Sequence, residues 1–256
     1  MSVTGGKLVI VGATSLIAQN CARILVEKQF NHVVLIGRSR DRLENVGKDL
    51  VARANRDDFT FSCEVVSDGS DAESVSEVID SICSDDVPDL VIIAQGSSLD
   101  RNTDLQENLS RLKSSLLLNG ISPVLYAQGF ARYMEKKGSG HIVMFGSVAG
   151  DRGRASNYVY GAGKSLIDSF AEGMAHYFAL EKLNIAVTVI KPGPTMTPMT
   201  VDLIGKTKLA DVKDVAACIV KGIRNRKRVV YAPLKWRLIM FIIRNMPSFV
   251  FNKLNI

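Results

Sequence analysis

Tyr160 and Lys164 follow Ser147 within the stretch GSVAGDRGRASNYVYGAGK, and the serine ends an apolar run. On a helix, residues i and i+4 share a face, so the phenol and the ammonium lie one turn apart. An ammonium there favours phenolate over phenol and draws a tyrosine pKa down from about 10. Tyr160 is then placed to give a proton to a carbonyl oxygen or to take one from an alcohol. The other tyrosines nearby, Tyr158 and Tyr177, have no lysine at i+4. Asn119, in LLLNGIS, is a polar residue inside an apolar helical stretch. It reads either as a helix-bending amide or as a residue with a functional role.

A second group of residues follows the strand-like runs. GATSLIA after the first run keeps Gly12, which can take the positive φ of a strand-to-helix turn. The turn reads either as an ordinary connection or as a phosphate site. In the second case Thr14 and Ser15 offer hydroxyls, and the helix N-terminus at Leu16 and Ile17 offers free N–H groups. Leu16 must then point its side chain away. After the second run stands Gly37-Arg38 where a carboxylate would favour NAD, and a guanidinium at Arg38 favours the 2′-phosphate of NADP. Asp68 after the third run either caps the next helix or approaches an adenine amino group. Ala94 and Gly96 of AQG let the backbone pass close to a flat ligand. Pro192, Gly193, Thr195 and Thr197 of KPGPTMTPMT form a loop that cannot continue regular structure, with hydroxyls for a carboxamide or phosphate.

The elements needed to gather these residues are legible as alternation. Apolar β-branched runs at 7–11, 32–36, 59–66, 89–94, 141–145, 185–190 and 228–232 read as buried parallel strands. Helical periods fill 15–28, 40–55, 71–83, 103–136, 158–182 and 211–225. The pattern predicts an α/β fold: a single doubly wound Rossmann-type domain with a seven-stranded, mostly parallel sheet over 1–232. Residues 233–256 form a basic, aromatic C-terminal segment of the same domain. Ligands of such sheets bind at the carboxyl ends of the strands, so the residues just after each strand are the ones to inspect.

Composition narrows the classes. At 256 residues and 46% hydrophobic, the chain can bury one substantial core. Four scattered cysteines with no CxxC pair suggest neither a zinc site nor a disulfide framework, and no metal is expected. The opening MSVTGGKLVIVGATS lacks the form of a signal peptide, so a cytoplasmic location is expected. The net charge of +6 is concentrated: from Val215 to Ile256 there are nine Lys or Arg and no acid. That suggests a local anionic partner and no nucleic acid.

In this order, these residues resemble the short-chain dehydrogenase/reductase family from about Lys7 to Thr200. Its Asn, Ser, Tyr and Lys tetrad is matched by Asn119, Ser147, Tyr160 and Lys164, and PGPTMT is similar to the family's Pro-Gly loop with its later Thr, here Thr197. The resemblance implies hydride transfer with NADP(H), proton transfer by the tyrosine, ribose binding by the lysine, substrate orientation by the serine and a water relay at the asparagine. It also implies a homodimer or homotetramer through helices matching 103–136 and 158–182. Two departures stand out: one glycine of the usual three remains in the first loop, and Ala94-Gln95-Gly96 replaces Asn-Ala-Gly. A bacterial subgroup with GATS-x-IA loops and GDRGR-x-SNYVYGA-x-K segments is more similar, and some of its members resemble reductases of keto-sugars on polyprenyl phosphate carriers in envelope polysaccharide synthesis. The alternative is a catalytically silent nucleotide-binding or sensing protein. A nucleotide-sugar dehydratase or epimerase is a third reading, with little room for its larger substrate domain after Pro192.

The tail PLKWRLIMFIIRNMPSFVFNKLNI interleaves aromatic and basic residues. It is too short and charged to span a bilayer. It either lies peripherally at the inner face of a membrane, or packs on the substrate pocket or a partner subunit.

Overall fold

The computed structural model describes residues 5–27, 29–97, 108–205 and 207–254. Seven strands form one sheet: β1 (Gly6–Val11), β2 (Phe30–Gly37), β3 (Thr60–Val65), β4 (Leu90–Ile93), β5 (Ser139–Phe145), β6 (Asn184–Pro192) and β7 (Val229–Ala232). Their order is β3-β2-β1-β4-β5-β6-β7, and every pairing is parallel. The mostly parallel sheet expected from sequence is therefore wholly parallel. The order reverses between β1 and β4, which opens a crevice at their carboxyl ends.

Helices cover both faces. Those of the described residues are α1 (Leu16–Val26), α2 (Arg40–Ala54), α3 (Ala72–Cys83), α4 (Leu109–Leu116), α5 (Ser122–Lys137), α6 (Tyr158–Leu180), α7 (Val212–Arg224), α8 (Lys235–Asn245) and the short α9 (Ser248–Phe251). Alternate strand residues feed separate cores. Leu8, Ile10, Leu90, Ile92 and Val143 meet α1, α2 and α7, while Val9, Val11, Val91, Ile93 and Ile142 meet α3, α5 and α6. Two buried faces explain why these strands lack the alternating polarity of a half-exposed sheet.

Two expectations need correction. The run 59–66 is no buried strand: β3 is an edge, and Val65 is exposed, because nothing pairs beyond it. The helical period over 103–136 is interrupted. Among the described residues it comprises α4, a π turn at Leu117–Ile121 and α5, with 103–107 outside the described residues. Asn119 lies in that turn, and π bulges of this kind often accompany functional sites.

Candidate active site

The crevice deepens into a cavity of about 530 Å³. Ser15, Ile17, Ala94, Gly96, Ser147, Tyr160, Lys164, Pro192, Gly193, Thr195 and Thr197 all border it, so the fold gathers most of the residues singled out by sequence. Of residues 97–102, which the loop after β4 is expected to bring to the pocket, Ser97 borders it and 98–102 lie outside the described residues.

The first loop is built for close approach. Gly12 has φ +74°, and a Cβ there would fall 2.7 Å from the Gln95 backbone nitrogen. Its N–H donates to Ile36 O at 2.9 Å, and Ser15 N–H donates back to Gly12 O at 2.9 Å, which closes the turn. Ser15 occupies the cap position of α1 yet makes no capping hydrogen bond. The first-turn N–H groups and the positive end of the helix dipole are thus left for an anion. Leu16 is not among the lining residues, and its φ is not positive. Thr14 is set back from the cavity, its carbonyl accepting from Gln19 Nε2 at 3.2 Å.

Ser147 follows β5 and caps a short 3-10 turn, its Oγ accepting from Ala149 N–H at 3.1 Å. It shares a hydrogen bond with the Tyr160 hydroxyl. Lys164, buried, donates from Nζ to Phe145 O at 2.8 Å and lies 5.8 Å from the Tyr160 ring centroid. A Cβ on Gly96 would stand 2.9 Å from Asn119 Oδ1 and 3.2 Å from Lys164 Nζ, so the bare glycine brings these two side chains to one point. The Asn119 amide is fixed from both ends. Oδ1 accepts from Ser97 N–H at 2.9 Å, and Nδ2 donates to Ser97 O at 2.8 Å and Ser115 O at 3.0 Å. Asn119 is thus a satisfied amide in a distorted turn, placed near Lys164 across Gly96.

The electrostatics differ from the simple pair. Burial raises the Tyr160 pKa, and the hydrogen bond with Ser147 only partly opposes that. The expected lowering is absent because the loss of water outweighs local help. Burial also pulls Lys164 down to about 8, against the attraction of Asp168. Asp168, one turn beyond Lys164, belongs to a network that sequence reading missed. Its Oδ2 is 2.9 Å from Lys191 Nζ, Lys191 also pairs with Asp151, and Tyr231 donates its hydroxyl to Asp151 Oδ2 at 2.8 Å. Burial pushes the Asp168 carboxyl up, partly offset by Lys191. The i+4 spacing from Lys164 was a signal for Asp168; nothing local marked the other partners.

The remaining candidates are distributed around the crevice. Arg38 is exposed beyond β2 and makes no ion pair among the described residues. Asp68 does not cap α3: its Oδ1 accepts from Ser70 N–H at 2.8 Å, and Asp71 is the cap, accepting from Ser74 N–H at 2.9 Å. Thr195 is buried with its hydroxyl given to Gly193 O at 2.9 Å, so it fastens its own loop. Thr197 caps the turn Pro198–Leu203 together with Thr200. The tail reaches this wall: Trp236 covers Gly193, where a Cβ would lie 1.9 Å from the indole nitrogen, and Met240 is buried.

The sequence model for short chain dehydrogenases matches residues 7–207. The chain belongs to this family. Among short chain dehydrogenases and their relatives, an uncharacterized oxidoreductase of Streptomyces coelicolor is 28% identical over 252 residues, covering 97% of this chain and 95% of its own. An uncharacterized oxidoreductase of Mycobacterium tuberculosis is 33% identical over 134 residues, 52% of this chain and 53% of its own. A short chain dehydrogenase from Burkholderia cenocepacia, solved in complex with NADP, superposes with a TM-score of 0.79 at 17% identity, over 99% of this chain and 98% of that one. A short-chain dehydrogenase/reductase from Mycobacterium ulcerans has a TM-score of 0.79 at 19% identity, over 90% and 89%. At those identities the structures speak for the fold. In the first loop of this short chain dehydrogenase the single retained glycine makes the turn, and the helix end stays uncapped.

Proposed function

We propose that this protein is an NADP(H)-dependent oxidoreductase working mainly as a carbonyl reductase. The observation that carries the reading is the convergence of Ser147, Tyr160 and Lys164 with the uncapped start of α1 on one cavity, with Asn119 held beside the lysine. Bound NADP(H) supplies or accepts the hydride. Ser15, Ile17 and the α1 N–H groups would hold its pyrophosphate, Ala94 and Gly96 would flank its ring system, and Pro192, Gly193 and the threonines would border the nicotinamide end. Arg38, unpaired among the described residues, would meet the 2′-phosphate, and Asp68 would approach the adenine.

The chain's own groups then manage one proton. Tyr160, kept a phenol at neutral pH by burial, donates to the carbonyl oxygen, while Ser147 fixes that oxygen by a hydrogen bond and Lys164 supplies positive charge for the developing alkoxide. Asn119 offers a fixed polar point beside Lys164 for proton resupply. Such an assembly supports turnover rather than the silent nucleotide-binding alternative. The subgroup resemblance puts keto-sugars of envelope polysaccharide synthesis first among substrates.

The test is NADPH oxidation with keto-sugars, ketoacyl thioesters and quinones. The reading predicts turnover with at least one class; NADPH binding without turnover of any would favour the silent alternative. Arg38→Ala should erode the preference for NADPH over NADH, and unchanged discrimination removes Arg38 from that role.

No helix of the described residues is long and apolar enough to cross a membrane. We assign the exposed side of α8 a peripheral contact with anionic lipid, supported by Leu238, Phe241 and Ile242 being exposed among Lys235, Arg237 and Arg244. The family resemblance supports assembly of copies through α4, α5 and α6.

A further inference from the structure

The loop from Ser147 to Tyr160 carries two arginines with opposite circumstances. Arg152 is fully engaged: Nη1 donates to Ile243 O at 2.5 Å and Met246 O at 2.6 Å, and its guanidinium stacks 3.8 Å from the Phe251 ring centroid. Arg154 borders the cavity, and its Nε is buried with no hydrogen-bond partner. Its guanidinium forms no ion pair among the described residues, and burial depresses its pKa. Three residues on, Asn157 Oδ1 is also buried without a partner on the same cavity wall.

Backbone structure does not account for either side chain. Asn157 N–H donates to Arg154 O at 3.2 Å and Gly161 N–H donates to Asn157 O at 2.8 Å, so the main chain closes the start of α6 by itself. The Asn157 side chain, at the cap position, makes no capping bond. Acids nearby do not answer the arginine. Asp151 and Asp168 are both paired with Lys191, and Asp202, which also borders the cavity, is exposed and makes no ion pair with Arg154. An orphaned, partly desolvated guanidinium is costly unless a ligand meets it, and a planar fork of donors suits a carboxylate or phosphate. An orphaned amide oxygen suits a hydroxyl donor.

We propose that Arg154 binds an anionic group, a carboxylate or a phosphate, on the substrate whose carbonyl is placed at Ser147 and Tyr160, while Asn157 accepts a hydrogen bond from a substrate hydroxyl. This deepens the carbonyl-reductase reading and rests on it for the location of the reacting carbon. The substrate class becomes an anionic hydroxy-carbonyl compound.

Two measurements on the full chain test it. In the first, holo protein saturated with NADPH is titrated with inorganic phosphate and with malonate while its thermal midpoint is followed. The wild type is expected to gain stability with at least one anion, Arg154→Gln to lose that gain, and Arg154→Lys to recover part of it. In the second, NADPH oxidation is compared on matched pairs, fructose 6-phosphate against fructose and a 2-keto acid against its methyl ester. The charged member is expected to have a kcat/KM about tenfold or more higher, as a charge-assisted bidentate contact gives. That ratio collapses in Arg154→Gln, mainly through KM. Whichever pair shows the effect identifies phosphate or carboxylate. No Arg154-dependent anion response in the holo protein overturns the proposal, even where no carbonyl is reduced and the reductase reading itself has failed. An NADPH dissociation constant weakened by Arg154→Gln as much as the substrate's also overturns it, since the arginine would then serve the cofactor.

Discussion

At the residue scale the site is a pair of desolvated groups held by neighbours of chosen charge. Lys164 titrates near 8 because burial outweighs the help of Asp168. If the ammonium is needed, carbonyl reduction is full below that pH and falls as pH rises through it. The charged and polar groups facing Lys164 are Tyr160, Asp168 and Asn119, together with Phe145 O. Asp168→Asn removes a carboxylate that favours the ammonium, so the alkaline limb of the kcat profile should move to lower pH. A limb that stays in place contradicts the assignment of Asp168 as a positioning residue. Lys191→Met is a different matter: it leaves the carboxylates of Asp151 and Asp168 buried together, and a broken buried pair costs about 3–5 kcal/mol. Denaturant unfolding should register that loss whether or not turnover survives. Ser147, Tyr160 and Lys164 stood out because proton-transfer chemistry constrains residue types and spacing, and the fold brings them to one cavity. The sign of the Tyr160 shift was not, since i+4 geometry reports a neighbouring charge and says nothing of burial. Asp151 and Lys191 are 40 positions apart and meet only after the sheet has formed.

At the element scale, strands and loops fix the wall on which those residues stand. β5 and β6 are stitched by His141, whose Nε2 lies 2.8 Å from Thr188 Oγ1. Thr188 gives its own proton to Lys227 O at 2.6 Å, so the histidine ring must be the donor and its other nitrogen is bare. Burial, with a smaller push from Arg226, lowers its pKa from 6.5 to about 4. The unfolded chain binds a proton there below pH 6.5 while the native fold resists it until about 4. Stability contributed by the neutral ring is therefore full above 6.5 and declines as pH falls toward 4, by about 3 kcal/mol in all. A His141→Gln variant should lack that part of the acid slope in urea unfolding; an unaltered slope would mean another group is responsible. On the opposite lip, Gly193 and Trp236 join the loop after β6 to α8. A methyl at 193 would strike the indole, and Gly193→Ala should cost about 1–3 kcal/mol as overpacking does. Combining it with Trp236→Ala should cost less than the sum of the two single changes; strict additivity would show the contact to be unimportant. Most helix and strand identities were readable from period, whereas the edge position of β3 was not, because an apolar run does not reveal how many neighbours its strand will have. The π turn escaped for a similar reason: one extra residue barely shifts a helical period, and Asn119 was the only local sign of it.

At the scale of the whole molecule, the parallel order β3-β2-β1-β4-β5-β6-β7 places all the strand ends that matter on one side, with the reversal beside Gly12 and Ala94. α8 carries the basic tail to the same rim. One face holds buried Met240 and sets Trp236 against Gly193, and the other shows Leu238 and Phe241 to solvent. The inward face accounts for packing against the Gly193 loop, and the outward face is where the proposed lipid contact would lie. If the outer face meets lipid, the full chain should float with phosphatidylglycerol vesicles and Leu238→Glu/Phe241→Glu should not. Failure of the wild type to float removes the membrane contact and leaves a second copy of the chain as the remaining partner for that face, which light scattering of the same variant can test.

The central claim is that Tyr160 moves the proton in a reaction run with NADPH. Its most direct test is Tyr160→Phe, assayed for NADPH binding by fluorescence and for NADPH oxidation with the best carbonyl substrate found. Loss of positioned acid catalysis lowers rates by about 10²–10⁴, so binding should persist while kcat falls by that order. Undiminished turnover in the phenylalanine variant would contradict the account.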